Sequence, residues 1–259
     1  MRILITNDDG IHAPGLDACV RIAQALSDDV WVVAPEFDQS GVAHSLSLND
    51  PLRMREIDER RFAVKGTPTD CVIMGVRHLL ADKRPDLVLC GVNRGQNIAE
   101  DVTYSGTVAG AMEGAVLGIP SIALSQCFTP ETRESQSYAA AEAHAPALIR
   151  RLLAEGIPAG VLVNLNFPPC APGEVEGVAV SAQGKRDQEL MKIDPRHDGR
   201  GNPYYWIAFE RKRWTSPNGT DLWAVENRRI AVTPLRIDMT DEPFMTRLAA
   251  IFDDSPLTG

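Results

Sequence analysis

The apolar positions in the first half of the chain keep two alternating rhythms. Short β-rich runs are followed by segments in which apolar side chains return every three or four residues. Arg2 to Thr6 reads as a strand, and Leu16, Cys19, Val20, Ala23 and Leu26 then keep helical spacing, with Pro14 suited to a first turn. Val30 to Ala34 predicts a second buried strand. At Thr67-Pro68-Thr69-Asp70 a cap, a first-turn proline and an acid three residues after the cap mark a helix start, and Val72, Ile73, Val76, Leu79 and Leu80 follow on one face. Asp86 to Gly91 predicts another strand, a glycine-rich loop leads into a small-residue helix from about Ser105 to Leu117, and Ile119 to Ser125 reads as the next strand. Leu52 to Val64, charged and alternating, interrupts this order as a small antiparallel excursion.

Alternation of this kind predicts parallel strands joined by right-handed helical crossovers, hence a doubly wound sheet covered on both faces. Ligands of such sheets sit beyond the carboxyl ends of the strands. A long helix is expected from Ser135 to Leu153 and a buried strand from Gly160 to Phe167. From about Gly184 charges, aromatics and turn residues crowd together through Lys185, Asp187, Pro203-Tyr204-Tyr205-Trp206, Trp214 and Asn218-Gly219, which reads as an extended hairpin or arm. Arg228 to Pro234 predicts a returning strand and Glu242 to Phe252 a final helix. With no internal repeat or low-complexity linker, residues 1–259 are expected to form a single α/β domain, with an arm within about 184–259 whose aromatics suit partner contacts and, equally, a satellite core under a loop.

Composition narrows the partners. The 259 residues carry 26 Lys and Arg against 35 Asp and Glu, a net charge of −9, which argues against attraction to duplex nucleic acid or an anionic membrane. A phosphorylated ligand would have to be caught locally, by a metal, a helix N-terminus or a few basic side chains. The apolar stretch after Met1-Arg2 is only Ile3-Leu4-Ile5, far short of a signal-peptide core of roughly 7–15 residues, and no run approaches the ~20 needed to span a bilayer. The five cysteines are odd in number and lack any CxxC pair, so no disulfide framework or zinc knuckle is suggested, and the cytoplasm is the expected compartment.

Candidate chemistry begins where the first strand ends, at Asn7-Asp8-Asp9-Gly10. Two carboxylates about 4 Å apart repel by about 4 kcal/mol at an effective dielectric near 20, a cost that a shared cation relieves. A solvated turn is the plainer reading of such a pair, but its strand-end position favours the cation. Asp38-Gln39-Ser40-Gly41 after the second strand and Gly91-Val92-Asn93-Arg94-Gly95-Gln96-Asn97 after the Asp86 strand would bring further oxygens to the same crevice. Taken singly, Ser40 or Asn93 is an ordinary turn residue. Together, carboxylate, hydroxyl and amide oxygens without sulfur or a histidine pair select a hard ion, Mg²⁺ or Mn²⁺, over zinc. At Tyr104-Ser105-Gly106-Thr107 the loop becomes a helix, and free N–H groups, two hydroxyls and the positive helix end make an anion cradle. Capping by Ser105 or Thr107 accounts for part of this, while Gly106 suggests close approach of a phosphate to the backbone. His44 is a candidate proton donor to a leaving alkoxide, although an ordinary loop or surface role is the commoner one for a lone histidine.

These motifs, with Gln39-Ser40-Gly41, Gly66-Thr67-Pro68, Asp70-Cys71-Val72 and Val108 in the same order and spacing, resemble those of the stationary-phase survival protein E family of nucleotidases. The resemblance is strong from Met1 to about Ser125, and weaker through Val163-Asn164-Leu165-Asn166, Thr233-Pro234-Leu235 and Asp238-Met239-Thr240. One departure is Cys90, where that loop more usually opens with serine. The resemblance implies a three-layer Rossmann-like core with its site within residues 1–127 and an arm used in a homodimer or homotetramer. It implies phosphomonoesterase activity on nucleoside 5′-monophosphates, with 3′-monophosphates and short polyphosphate as further substrates to test. Its metal ligands fall on Asp8, Asp9, Ser40 and Asn93, its phosphate contacts on Asn97, Ser105, Gly106 and Thr107, and catalysis on Asp8 and Asp9.

Three rival readings share parts of this pattern. A receiver-type signalling module needs an acceptor Asp at the end of its third strand, where Gly91-Val92-Asn93 stands here, and is about half this length. A haloacid-dehalogenase-type phosphatase needs its two acids separated by one residue. A nucleotide-binding protein without catalysis would share the cleft but release no phosphate.

Overall fold

The computed structural model describes residues 1–129, 132, 137–186, 191–209 and 216–252. Ser135, Asp187 and Trp214 lie outside them. The first crossover runs from β1 (Arg2–Thr6) through α1 (Pro14–Gln24) to β2 (Asp29–Pro35), and Pro14 does occupy the first turn. The excursion after β2 is an antiparallel pair, β3 (Met54–Asp58) and β4 (Arg61–Val64), with β4 also joining β2 in parallel. Next comes α2 (Pro68–Met74), whose start is fixed by the predicted reciprocal cap: Thr67 Oγ1 accepts from Asp70 N–H, and Asp70 Oδ2 accepts from Thr67 N–H. The chain then passes through β5 (Leu87–Arg94), α3 (Gly106–Val116), β6 (Ser121–Gln126), α4 (Ala139–Glu155) and β7 (Val161–Phe167).

Four short elements were not foreseen: β8 (Gly177–Val180), α5 (Asp221–Glu226) and the 3-10 turns at Ala99–Thr103 and Pro172–Glu174. Between β8 and α5, β9 (Met191–His197) and β10 (Pro203–Phe209) form the predicted hairpin, a two-stranded sheet of their own. The chain ends in β11 (Arg229–Arg236) and α6 (Glu242–Phe252).

The main sheet has the order β3-β4-β2-β1-β5-β6-β7-β11-β8. Its neighbours are parallel except β3 with β4 and β11 with β7. The period of two along β1 decides what each face meets. Ile3 and Ile5 pack with Leu16, Cys19 and Ile22 of α1 and with Ala141, Ala145 and Ile149 of α4. Leu4 faces the other way, into Cys71, Val72 and Val76, and farther along that face Cys90 and Ala123 meet Val108 and Ala111 of α3. The result is a three-layer α/β fold. Because the chain leaves β1 toward β2 on one side and returns to β5 on the other, the strand order reverses at β1, and the crevice at the carboxyl ends of β1 and β5 is the switch point where ligands bind in such sheets.

Candidate active site

Each predicted loop reaches that crevice from a different strand. Asp8 and Asp9 follow β1, Ser40 follows β2, and Asn93 lies at the end of β5, where the pairing with β6 slips between Cys90 and Asn93. Backbone contacts hold the loops together: Gln39 N–H donates to the Asp8 carbonyl at 2.8 Å and Arg94 N–H to Asp9 Oδ2 at 3.1 Å. A cleft of about 230 Å³ opens there, and Asp8, Ser40, Asn93, Asn97 and Ser105 line it.

In each of the four expected cation ligands, a neighbour engages one polar atom and leaves an oxygen. Thr107 Oγ1 donates to Asp8 Oδ1 at 2.5 Å. Arg94 N–H holds Asp9 Oδ2, leaving Oδ1. Ser40 Oγ donates to Asp38 Oδ1 at 2.6 Å, which turns its lone pairs outward. Asn93 Nδ2 donates to the Gly95 carbonyl at 2.9 Å, so the amide oxygen is the atom that remains. Such outer contacts orient ligands around a hard cation. Among the described residues no group of three or more His, Cys, Asp and Glu side chains could hold a metal, so a cation here depends on the neutral oxygens as well.

The electrostatics agree. Burial pushes the Asp8 carboxyl up to about 7, with Asp9 beside it adding to the rise. Burial also raises Asp9, and Asp38 adds to it while the Arg94 N–H opposes. A bound cation favours the charged form of both.

The anion side is built by α3. Ser105 is its N-cap, Oγ accepting from Val108 N–H at 3.0 Å, so Gly106 and Thr107 are left without intrahelical acceptors for their N–H groups. Asn97 is nearly buried and held on three sides: its N–H donates to Asn166 Oδ1, its Nδ2 to Ser125 Oγ, and its carbonyl accepts from Asn164 and Asn166. One Nδ2 hydrogen is left over.

Three expectations need correcting. Thr107 is fully buried and its hydroxyl is engaged by Asp8, so only its backbone can face an anion. The reading of Gly106 needs widening: a Cβ there would lie 2.8 Å from Asp8 Cβ, so the missing side chain also makes room for the carboxylate. His44 sits against α3, its Nε2 2.9 Å from Glu113 Oε2, and is not part of the cleft lining.

Sequence reasoning assigned no role to Asp38, which steers Ser40 from two residues away, a spacing that could have revealed it. It also missed Arg186 and Asp101, which line the cleft and pair with each other at 2.5 Å, and no local pattern marks either.

Fold and cleft together define a doubly wound α/β protein with oxygen donors gathered at its switch point, beside a helix N-terminus. The family model described as Survival protein SurE matches residues 3–190, and the chain belongs to that family. It is 72% identical over 253 residues to the 5′-nucleotidase SurE of Azorhizobium caulinodans, covering 98% of this chain and 99% of that one. It is 68% identical over 252 residues to the 5′-nucleotidase SurE of Methylorubrum populi, covering 97% and 99%. The crystal structure of the SurE protein from Aquifex aeolicus superposes with a TM-score of 0.84 at 43% identity, covering 97% of this chain and 99% of that chain.

Proposed function

We propose that this protein is a divalent-metal-dependent 5′-nucleotidase, hydrolysing nucleoside 5′-monophosphates to nucleoside and phosphate, with Mg²⁺ or Mn²⁺ held by Asp8, Asp9, Ser40 and Asn93. The observation that carries this reading is the set of four side chains, each fastened by a neighbour so that one oxygen remains, beside the start of α3. The 5′-nucleotidase relatives supply the substrate class.

When bound, the cation would supply Lewis-acid polarisation of the phosphoryl group. The chain does the rest. Backbone N–H groups of Gly106 and Thr107, the Ser105 cap and the remaining Asn97 N–H hold non-bridging oxygens where charge builds up. Asp8 or Asp9 takes a proton from an attacking water, or one of them attacks phosphorus itself. Acid quench of a single turnover with substrate labelled in its phosphoryl group separates the routes, since only direct attack leaves an acid-stable acyl phosphate on the enzyme.

The test is phosphate release from AMP, GMP, 3′-AMP, short polyphosphate and an aryl phosphate, with Mn²⁺, Mg²⁺ or a chelator. Release from AMP and GMP that the chelator abolishes is the expected result, and chelator-insensitive turnover would overturn the metal. Asp9→Asn should abolish metal-stimulated release while leaving the unfolding transition in place. Near-normal turnover in that variant would remove the carboxylate pair from the mechanism.

The reading includes assembly as a homodimer or homotetramer, supported by the hairpin of β9 and β10, where Tyr205, Trp206 and Ile207 are exposed, and by exposed Phe244 and Phe252 on α6. Sedimentation of the full chain tests it. It also includes a cytoplasmic location, in keeping with five free cysteines, four of them buried. Among the described residues no helix is long and apolar enough to cross a membrane.

A further inference from the structure

Arg186 enters the cleft from the segment after β8, far in sequence from the other residues that line it. Its side chain is only 12% exposed. One edge of the guanidinium is fixed: Nη1 lies 2.5 Å from Asp101 Oδ2 and donates to the Ile98 carbonyl at 3.3 Å. Its backbone N–H is held as well, by both carboxylate oxygens of Glu100 at 3.1 and 2.9 Å. Nε and Nη2, the other edge of the plane, donate to nothing among the described residues.

A nearly buried guanidinium with three of its five donors unmet is costly unless a ligand meets them. The cleft it lines also contains Asp8, Ser40, Asn97 and Ser105. A phosphate monoester near pH 7 carries close to two negative charges, and its path here runs past Asp8 and Asp101 in a chain of net charge −9. The Nε and Nη2 edge of an arginine matches two oxygens of one phosphate, and Asp101 holds the plane in place without covering that edge.

We propose that Arg186 is a substrate-contacting residue whose Nε and Nη2 grip two non-bridging oxygens of the phosphoryl group, with Asp101 as the residue that positions it. The proposal rests on the phosphomonoesterase reading and adds a side-chain contact opposite the helix end.

The experiment titrates inorganic phosphate, and separately adenosine, by calorimetry into the Mn²⁺-loaded protein for the unmodified chain, Arg186→Gln, Asp101→Asn and the double variant. Arg186→Gln should weaken phosphate by about 30-fold or more, the range for removing one partner of a buried charged contact. Adenosine, which lacks the phosphate, should bind as before. The double variant should stay at least about tenfold weaker for phosphate than Asp101→Asn alone. Recovery in the double variant to the Asp101→Asn value would mean that Arg186 only neutralises Asp101, and would overturn the proposal. Equal weakening of adenosine and phosphate would overturn it too, as the mark of a distorted cleft. Arg186→Lys keeps the charge beside Asp101 and serves if the Gln variant does not fold: it should still lose phosphate affinity, and binding equal to the unmodified chain overturns the two-pronged contact. Absence of turnover in the unmodified protein would count against the hydrolase reading alone, because the phosphate titration needs no turnover.

Discussion

Thr107 Oγ1 lies 2.5 Å from Asp8 Oδ1, a bond that ties the first turn of α3 to the end of β1 across 99 residues of chain. Both partners are buried, so no water can replace the donor. The hydroxyl of a residue expected from sequence to serve the phosphate therefore serves a carboxylate, and its backbone N–H is what remains for an anion. Thr107→Val, which keeps the shape and removes the hydroxyl, should lower Mn²⁺ affinity by about 10- to 100-fold, the usual effect of losing an outer-shell partner. Thr107→Ser should keep most of it. Calorimetric Mn²⁺ titration of the three proteins decides, and a Val variant with unchanged metal affinity but weakened phosphate binding would return Thr107 to the anion side.

Gly106 gives a related expectation. A Cβ at this position would press on Asp8 at 2.8 Å, and neither the helix end nor the strand end can easily give way. Gly106→Ala should cut kcat/KM by about 10²-fold through displacement of the carboxylate, with a stability cost of about 1–3 kcal/mol from overpacking. Full activity in that variant would show that the carboxylate tolerates a shift.

Asp221 is buried at the start of α5 and accepts three backbone N–H bonds, from Ala99 at 2.9 Å and from Gly184 and Leu222 at 2.8 Å each. Removing the acceptor leaves these donors without partners. Asp221→Ala should therefore cost about 3 kcal/mol or more, since each unmet buried donor costs about 1–3 kcal/mol. That lowers Tm by about 6 °C or more for a chain of this size. A thermal scan showing no shift would mean that water reaches the vacated site.

Acid sensitivity has one identifiable source at the start of β2. Burial tends to raise the Asp29 carboxyl, but the Trp31 indole N–H at 2.8 Å and Arg2 at 3.1 Å, with Lys83 farther off, hold it below its ordinary value of 3.8. The folded chain thus binds the Asp29 proton more weakly than the unfolded chain does, so the stabilisation is complete above the ordinary value and fades as pH falls through the folded one. Asp29→Asn should be less stable than the unmodified chain at pH 7, by under about 1 kcal/mol for so accessible a group. Urea midpoints should converge between pH 4 and more acidic conditions, and a gap that persists there would assign the effect to packing.

What could be read from the sequence follows the range of the interactions. The helix beginning at Thr67 was legible because both halves of its cap lie within three residues. Asp8, Asp9, Ser40 and Asn93 were legible as a group because alternating strand and helix signals fix a parallel sheet, and its topology brings strand ends to one place. The Thr107 bond to Asp8 and the Arg186 pair with Asp101 were not, since each joins segments whose approach no local pattern encodes. β8 escaped because four half-exposed residues make too short a run to show alternation, and its partner β11 follows only after the hairpin. His44 looked available in the sequence, whereas Glu113 is a contact that only the packing of α3 against the loop creates.

The Asp221 carboxylate fastens Ala99, Gly184 and Leu222 at a single point, so the stretches carrying Asn97 and Arg186 are anchored to α5 and cannot part from it separately. The opposite rim is made differently. Residues 40–53 contain no strand or helix and are secured by side chains, through His44 to Glu113, Thr67 to the Ser45 carbonyl and Asp70 to Ser47 N–H, and by two backbone bonds, from Ala43 N–H to the Tyr104 carbonyl and from Lys65 N–H to the Arg53 carbonyl. Passage into and out of the cleft should therefore proceed along that rim, and the speed with which product escapes becomes a property of those few fastenings and not of the strands beneath them.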